Sequence, residues 1–281
     1  MFTNIQVINT GNFKLDGGAM FGVVPKTIWS KTNPADENNM CSWAMRCLLI
    51  ESEKKKILID TGIGNKQNEK FFKYFYLHGD DSLLNSLKNI QVSPNQITDV
   101  FFTHLHFDHC GGAVIKTPNR FELLFKNATH LTNKAHWNLA NNPNNREKAS
   151  FLKENFDLIK EKNKLKFINE GELYSNICVR FFHGHTNSQM IPIINFQNKT
   201  IVFMADLLPS IGHIPLPYIM SYDTRPLITL EEKKLFLEEA AEKNYILFLE
   251  HDYKYECCTL MKTKKGIQLN KYGKLRELLA L

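Results

Sequence analysis

The sequence lacks the long apolar runs, paired cysteine spacings and low-complexity stretches that mark several classes of protein. No apolar stretch in its 281 residues approaches the roughly 20 residues that a membrane-spanning helix needs. Its six cysteines show no C-x-x-C spacing, and an adjacent pair such as Cys257-Cys258 rarely bridges to itself. We therefore expect reduced thiols, a cytoplasmic location and no membrane partner, rather than a disulfide framework.

Two further absences narrow the class of protein. Residues 1–5 have neither a basic start nor a long apolar core, so we expect no signal peptide. The net charge of +6 comes from dispersed lysines, which are dense only at 54–56 and 262–265. We interpret both clusters as solvated turns flanking strands, because a short lysine run is weak evidence for a nucleic-acid partner. The 43% hydrophobic and 23% charged composition is ordinary for a globular protein with a sizeable core.

The first half of the chain is predicted to alternate strands and helices. Apolar runs and turn signals predict strands at 5–8, 21–24, 45–50, 57–59, 100–102 and 121–125, with a glycine-rich loop at 17–18 and helical residues at 67–92. Asp60 ends the fourth of these strands. It is suited to fixing a metal-binding histidine through the ring N–H, or it is a simple turn residue. Ser93 and Gln96 are expected to cap a short helix.

The second half repeats this pattern. We predict a helix-prone cap or insertion at about 133–165, and strands at 177–182, 191–196, 200–205 and 245–249. Three of these strands lead to His185, Asp206 and His251. Thr229 is predicted to open a helix that extends to about Lys243 through a capping box. His130 and His136 are interpreted as surface or packing residues. No linker separates the halves, so we expect a single domain over residues 1–281.

One segment, Thr103–Gly112, concentrates residues that bind metals. It reads T-H-L-H-F-D-H-C-G-G and directly follows an apolar run. Alternate side chains of an extended strand share a face, so we expect His104, His106 and Asp108 to converge. His109 follows on a turn and approaches from a second direction, while the glycines let the backbone come close to a ligand. This geometry suits two adjacent metal ions better than one.

The order of these residues resembles the metallo-β-lactamase superfamily. The resemblance covers most of the chain: a D-T-G turn, H-x-H-x-D-H-x-G-G, a G-H-T histidine, an Asp after a hydrophobic strand and a late His after another. It implies an α/β fold, a four-layer αβ/βα sandwich with two mixed sheets flanked by helices. Within the superfamily, the complete ligand set and the opening F-G-V-V-P-K-x-x-W look most like the N-acyl-homoserine lactonases and methyl-parathion-hydrolase-like enzymes.

The resemblance also implies a binuclear site. His104, His106 and His185 would hold one ion, Asp108, His109 and His251 the other, and Asp206 would bridge them, with Asp60 behind the site. Imidazoles and carboxylates suit zinc, and Mn, Fe or Co are also compatible. Two such ions share a hydroxide that attacks a carbonyl or phosphoryl centre. Asp108 and Asp206 are therefore the candidate catalytic residues, and Asp108 is a ligand rather than a free general base.

Two departures from the lactonases concern the substrate. Pro209 stands where those enzymes carry a tyrosine that assists the carbonyl oxygen, and the loop after His185 reads T-N-S-Q in place of T-P-G. His183 lies two residues before the G-H-T position and is not assigned as a ligand. The candidate substrate-pocket residues are Phe21, His213, Tyr218 and Tyr222.

The expected activity is hydrolysis of a small ester, a lactone such as an acyl-homoserine lactone, or an organophosphate. A phosphodiesterase or nuclease, and a mononuclear iron dioxygenase of the same superfamily, are the alternatives. A non-catalytic binding module is disfavoured because all the ligands are present. A homodimer is also considered, since the aromatics at 71, 72, 74 and 75 could form an interface or equally cover the core.

Overall fold

The computed structural model describes residues 2–280 as an alternation of strands and helices. The strands are β1 (Asn4–Asp16), β2 (Met40–Glu51), β3 (Lys56–Ile59), β4 (Asp99–Phe101), β5 (Val114–Lys116), β6 (Phe121–Leu123), β7 (Thr129–Thr132), β8 (Leu165–Phe167), β9 (Gly171–Tyr174), β10 (Ile177–Phe182), β11 (Gln189–Phe196), β12 (Lys199–Phe203), β13 (Ile246–Phe248), β14 (Cys257–Thr263) and β15 (Gly266–Gly273). The α-helices are α1 (Gly17–Phe21), α2 (Lys26–Trp29), α3 (Glu69–Lys73), α4 (Leu83–Asn89), α5 (Phe107–Cys110), α6 (Lys134–Asn141), α7 (Asp157–Glu161), α8 (Pro226–Glu242) and α9 (Leu275–Leu279). Short 3-10 helices lie at Pro94–Gln96, Gly111–Ala113, Lys148–Ser150, Lys153–Asn155, Ala205–Leu207 and Ile211–His213.

The first of two compact units comprises residues 2–12 and 45–175. Its main sheet runs in the order β1-β2-β3-β4-β7-β8. Strands β2 and β3 are antiparallel, whereas β3, β4, β7 and β8 are parallel. Parallel strands are usually covered on both faces and are therefore continuously apolar. Val100 of β4, Leu87 of α4 and Trp137 of α6 belong to one buried cluster, so helices pack with this sheet into a common core.

The second unit comprises residues 13–44 and 176–280. It contains six strands of a seven-stranded sheet, in the order β15-β14-β13-β12-β11-β10. Strands β12 and β13 are parallel, and the other neighbouring pairs of these six are antiparallel. Helix α8 packs against β14 and β15, and its Phe236 and Leu237 are buried. This sheet, like the first, is mixed and carries a helix on its surface.

Several local sequence signals are confirmed by the structure. Strands β10 and β13 lie within the apolar runs that predicted them, and β3 begins one residue before its predicted run. The Ser93 N–H donates to Gln96 Oε1 at 2.7 Å, so the predicted capping box is present at the short helix before β4. The lysine cluster at 262–265 forms the turn between β14 and β15. These features depend on neighbours in sequence, which is why they could be recognised without tertiary information.

The opening segment differs from its prediction. A strand is predicted over 21–24 after a glycine-rich loop, but the glycines form the first turn of α1 and a turn follows it. Asp16 Oδ1 accepts the Ala19 N–H at 2.8 Å and thereby caps the helix. A Cβ at Gly17 would overlap the ring of Trp29. Glycine is therefore required here because an aromatic ring packs on the helix, and not because a loop needs freedom.

Two helix predictions are also corrected. Helix α8 begins at Pro226, with Arg225 at its N-cap, rather than at Thr229. Proline is pre-organised for the first helical position because its φ is fixed. The region 67–92 is not one helix, because α3 and α4 are separated by residues that include Gly79 at φ +85°. That backbone conformation favours glycine and interrupts a helix.

The structure bears on two general expectations about the chain. Within residues 2–280 no helix has both the length and the apolar character needed to cross a membrane. The segment expected to form a cap or insertion contains α6, α7 and short 3-10 helices. The single-domain organisation stays a prediction.

The ion pair between Arg180 and Glu239 generates a prediction about the second unit. The two guanidinium nitrogens of Arg180 lie 2.5 and 2.9 Å from the Glu239 carboxylate oxygens, and these bonds lower the pKa of Glu239 from 4.5 to about 2. A depressed carboxylate pKa stabilises the folded state above pH 4.5 and loses that effect as pH falls towards 2. Glu239→Gln should therefore lower Tm at pH 7, and the difference from wild type should shrink by pH 3.

Thermal unfolding of both proteins across this pH range measures the effect. Glu238→Gln, an exposed neighbour on α8, is the matched control and should follow wild type throughout. A Tm difference for Glu239→Gln that stays constant from pH 7 to pH 3 would contradict the assignment.

Candidate metal centre

The ligand segment of the first unit changes conformation in the middle of its motif. Strand β4 ends at Phe101, residues 102–106 form an irregular connection, and His106 (φ −65°, ψ 152°) is the N-cap of α5. Asp108 and His109 therefore lie in a helical turn, which corrects the expectation that Asp108 continues the strand. His104 Nε2 lies 3.0 Å from His106 Nδ1, and His109 Nε2 lies 3.6 Å from Asp108 Oδ2. The turn brings His104 and His109 together, with ring centroids 3.9 Å apart.

Asp60 accepts three hydrogen bonds that hold this segment in place. It is fully buried and its Oδ1 accepts the Thr103 N–H at 2.8 Å. Its Oδ2 accepts the Thr103 hydroxyl at 2.6 Å and His109 Nδ1–H at 3.1 Å. The same Thr103 hydroxyl oxygen lies 3.1 Å from His104 Nδ1, which donates to it because the hydroxyl proton is already directed at Asp60. One carboxylate thus fixes the orientation of two rings.

Two residues near this segment carry no obvious sequence signal. The Leu105 N–H, which lies between two candidate ligands, donates to Nε2 of His136 at 2.9 Å. Glu147 Oε2 lies 3.7 Å from His106 Nε2 and is buried. His136 is therefore a buried packing residue that supports the loop, consistent with its interpretation. Glu147 was missed because it belongs to a polar stretch in which no pattern distinguishes it.

Close backbone packing holds the end of the motif. A Cβ at Gly111 would overlap the Ile63 carbonyl, and a Cβ at Gly112 would overlap the Thr61 carbonyl. The ammonium group of Lys66 donates to the Gly111 carbonyl oxygen, and burial lowers the pKa of Lys66 to about 8. The two glycines are needed here because two chain segments touch through their backbones.

The second unit brings its three candidate ligands together. His185 follows β10, Asp206 lies in the 3-10 helix after β12, and His251 follows β13. His185 Nε2 is 3.0 Å from Asp206 Oδ2. His251 Nε2 is 3.0 Å from the other oxygen, Asp206 Oδ1. One carboxylate therefore faces two imidazoles, one with each oxygen, and all three side chains are buried.

The remaining ring nitrogens of these histidines donate to protein oxygens. His185 Nδ1–H donates to Asp223 Oδ1 at 2.8 Å, and His251 Nδ1–H donates to the Ala44 carbonyl at 2.8 Å. Asp223 is buried and was missed in the sequence, because it lies 38 residues from His185. A second carboxylate or carbonyl behind a ligating histidine is typical of metal sites, since it fixes the tautomer.

These contacts decide which atoms are available for a cation. With Nδ1 hydrogen-bonded in this way, Nε2 is the ring nitrogen that His109, His185 and His251 could offer to a cation. In the second unit, Nε2 of His185 and Nε2 of His251 each lie 3.0 Å from an oxygen of Asp206. A buried carboxylate this close to two imidazole nitrogens favours a positive charge between them, either a proton on Nε2 or a bound cation. Neutral imidazole and carboxylate donors fit a divalent first-row ion such as zinc.

The electrostatics of His185 support the same conclusion. Burial opposes protonation of its ring, but the carboxylates of Asp206 and Asp223 outweigh that effect and raise the pKa of His185 to about 10. In the first unit, burial raises the pKa of the Cys110 thiol, which follows His109 in the chain, to about 12. A thiol with so high a pKa stays protonated and is not a thiolate ligand. The site therefore attracts a cation through nitrogen and oxygen.

Three of the four candidate substrate-pocket residues, Phe21, His213 and Tyr218, pack together. Phe21 and His213 stack with ring centroids 4.4 Å apart, and Tyr218 contacts Phe21 edge-on at 6.3 Å. His213 Nδ1 lies 2.8 Å from Ser210 Oγ, and its Nε2–H donates to the Met20 carbonyl at 2.9 Å. Burial lowers the pKa of His213 to about 3, so its ring is neutral and both nitrogens are engaged. Tyr222 is 42% exposed.

Two other histidines stay outside the ligand groups. His130 is buried, stacks on Phe102 at 5.9 Å, and burial lowers its pKa to about 4. His183 Nδ1 lies 3.2 Å from Asn187 Oδ1, and its backbone N–H donates to Glu232. In these interactions, neither His130 nor His183 contacts a candidate ligand of its own unit.

Comparison with known proteins agrees with this chemistry. Residues 46–251 match the metallo-beta-lactamase superfamily. A probable metal-dependent hydrolase from Staphylococcus aureus is 30% identical, with 96% of each chain covered and a TM-score of 0.87. The dizinc quorum-quenching lactonase AidC is 23% identical, with 96% of each chain covered and a TM-score of 0.78. The predicted fold class, α/β with two mixed sheets flanked by helices, is confirmed by these matches.

Curated relatives match over shorter segments. An N-acyl homoserine lactonase of a Bacillus species is 36% identical over 84 residues, which is 26% of this chain and 34% of that enzyme. The N-acyl homoserine lactonase of Bacillus thuringiensis is 33% identical over 101 residues, which is 32% of this chain and 39% of that enzyme. The chain thus spans little more than a third of the length of these relatives.

The buried carboxylate of Asp60 leads to a prediction. Asp60→Asn places an amide N–H₂ among three donors, so at least one hydrogen bond is lost at a cost of about 1–3 kcal/mol. Because His109 then loses its orientation, we expect metal affinity to fall about 10–100-fold.

Calorimetric unfolding and metal titration measure these two effects. Asp36→Asn removes a more exposed carboxylate that pairs with Lys14 and is the matched control, with little expected effect on metal affinity. Unchanged metal affinity in Asp60→Asn would show that Asp60 is only a turn residue.

Proposed function

This chain belongs to the metallo-beta-lactamase superfamily, and we propose that it is a binuclear metal-dependent hydrolase of a small ester, lactone or organophosphate. Lactonases are the favoured class. The curated relatives are N-acyl homoserine lactonases, and one structural neighbour is a dizinc quorum-quenching lactonase. An N-acyl homoserine lactone is therefore the first substrate to test, and quorum quenching the first biological role.

One observation carries the proposal: two imidazole nitrogens face the two oxygens of Asp206. His185 Nε2 and His251 Nε2 each lie 3.0 Å from a different oxygen of this carboxylate. A carboxylate directed at two histidines through separate oxygens suits a bridge between two cations. A single mononuclear site does not require both oxygens to be directed in this way.

We propose that seven residues supply the ligands. His104, His106 and His185 would hold one ion, Asp108, His109 and His251 the other, and Asp206 would bridge. Zinc is the proposed metal, because the donors are imidazoles and carboxylates, and Mn, Fe or Co are the alternatives. Bound divalent ions would supply Lewis-acid polarisation of the substrate oxygen and a lowered pKa for water.

The protein residues around these ligands would orient them and exclude water. Asp60, Asp223 and the Ala44 carbonyl hold Nδ1 protons, so that Nε2 of each histidine stays directed at the centre. His213 has no free ring nitrogen and would contribute an apolar wall with Phe21. Of the candidates to replace the lactonase tyrosine at Pro209, Tyr218 and Tyr222 therefore remain, and we propose that a phenol hydroxyl supplies this assistance.

We also propose a cytoplasmic location and a soluble small-molecule substrate. The six cysteines are free thiols, which suits a reducing compartment. A homodimer stays a prediction. Phe71 and Phe75 pack against Phe107 in the first unit, with centroids 5.3 and 4.8 Å apart, which leaves Tyr74 as the most exposed of the four aromatics considered for an interface.

The proposed function is tested by metal content per chain, measured on protein purified without chelator. Turnover is measured in parallel on a lactone, an aryl ester and a phosphotriester. We expect two ions per chain with turnover of at least one of these substrates. A single iron without hydrolysis would favour the dioxygenase alternative, and turnover of a phosphodiester alone would favour the nuclease alternative.

A single ligand substitution tests the site residues. His106→Ala should abolish hydrolysis and keep the fold, because the buried apolar cluster of the first unit does not include this ring. His183→Ala is the matched control, since His183 is partly exposed and is not a proposed ligand. Full activity with normal metal content in His106→Ala would overturn the assignment.

The bridging role of Asp206 gives a separate prediction. Asp206→Asn replaces one of the two charged oxygens with a neutral N–H₂ group, so occupancy should fall at both metal positions. Metal content and competition with a chromophoric chelator measure the two affinities. Loss of only one ion, with the other unchanged, would contradict a bridge.

A further inference from the structure

A lysine side chain is buried inside the second unit. Lys233 lies on α8 and is 1% exposed. Its ammonium nitrogen donates to the carbonyl oxygens of His213 at 2.8 Å, Pro215 at 3.1 Å and Tyr218 at 2.9 Å. Buried lysines usually pair with a carboxylate. The partners of Lys233 are instead three backbone carbonyls of one irregular segment, residues 210–221.

The number of acceptors matches the charged form of the side chain. An ammonium group has three N–H donors and no acceptor, and three carbonyls of the segment receive them. Burial lowers the pKa of Lys233 to about 7, whereas Asp223 acts to raise it. The three carbonyl dipoles favour the ammonium form further, because each accepts a charge-assisted hydrogen bond.

The segment held by Lys233 is also joined to α1 and its C-terminal turn. His213 Nε2–H donates to the Met20 carbonyl at 2.9 Å, and the Ser221 N–H donates to the Ala19 carbonyl at 2.8 Å. A Cβ at Gly22 would overlap the Ile219 carbonyl. The segment therefore lies against α1 through a side-chain hydrogen bond near its first end and backbone contacts near its second.

The same segment carries two of the candidate pocket residues. His213 stacks on Phe21 with an angle of 7° between the rings, and Tyr218 approaches the edge of that ring at 87°. Apart from the 3-10 helix Ile211–His213, the segment has no regular structure to satisfy its carbonyls. Buried carbonyls need partners, and Lys233 supplies them at three positions along the segment.

We propose that Lys233 is a positioning residue, an internal cation that fixes residues 213–218 against α1 and thereby sets the wall formed by Phe21, His213 and Tyr218. The role of that wall in substrate binding rests on the proposed function. The positioning itself does not depend on any activity. Lys233 acts through the backbone carbonyls and does not touch the candidate ligands.

The first test replaces the ammonium with an uncharged group of similar length. Lys233→Met keeps the aliphatic volume and removes the ammonium donor from all three carbonyls, of which the Pro215 carbonyl keeps the Tyr218 N–H as a donor. Hydrogen exchange of the 213–221 amides should therefore accelerate at least about tenfold, since 1.4 kcal/mol corresponds to a factor of ten. Lys234→Met, an exposed neighbour on α8, is the matched control and should leave this exchange unchanged.

Kinetics provide the second readout. In the holoenzyme, Lys233→Met should raise KM for the best substrate of the panel at least about tenfold, with a smaller effect on kcat and unchanged metal content. If no substrate is turned over, the exchange measurement still decides the positioning role. Exchange that accelerates equally in β10–β13 would indicate global destabilisation and overturn the local role, as would exchange identical to wild type.

Chemical rescue supplies a third measurement if Lys233→Met does not fold. Lys233→Ala removes the side-chain atoms that n-propylammonium reproduces. The segment borders an open groove of about 600 Å³ lined by Ile214, Pro215 and Leu216. We expect n-propylammonium to restore slow exchange at 213–221, and tetramethylammonium, which has no N–H, to have no effect. Equal rescue by both salts, or by neither, would overturn the proposal.

Discussion

The arrangement of acceptor atoms around buried histidines is the constraint on which the candidate site depends. Nδ1–H is donated to a fixed oxygen in His109, which pairs with Asp60, and in His185, which pairs with Asp223. In the second unit, Nε2 of His185 and of His251 faces the carboxylate of Asp206. Such a buried group favours a positive charge at its centre, whether a proton or a bound cation. The hydrogen bonds to Nδ1 therefore hold these rings in an orientation that suits a cation.

The supporting contacts are as specific as the ligands themselves. Gly111 lies close against the Ile63 carbonyl, and Lys66 donates to the Gly111 carbonyl oxygen. The Leu105 N–H donates to His136. These contacts hold the backbone on both sides of the turn that carries the candidate ligands. Pre-positioned donors of this kind are expected of metal-dependent hydrolases.

Two buried lysines use backbone carbonyls in different ways. Lys66 supports the ligand segment of the first unit through one carbonyl, whereas Lys233 joins three carbonyls of a segment in the second unit. Both lysines are nearly inaccessible to solvent. Irregular segments leave their carbonyls without sheet or helix partners. A buried ammonium group satisfies several of them at once and fixes the path of the chain.

The sequence by itself determined several of the strands, the ligand motif and the superfamily. The strand β10 and the Ser93 cap follow from apolar runs and local capping, which act over a few residues. The H-x-H-x-D-H motif is also local, since its ligand-type residues lie within six positions. The fold class followed from the order of these motifs, and the family match confirms it.

Only the tertiary structure decided which distant residues support the candidate ligands and the candidate pocket residues. Asp223 is 38 residues from His185, and Lys233 is 20 residues from His213. Nothing local marks either residue, because its role depends on where a distant segment packs. The helix at α1 was likewise hidden, since the glycine that suggested a loop is required by the ring of Trp29. Local propensities act between neighbours in sequence, whereas these contacts exist only once the chain has folded.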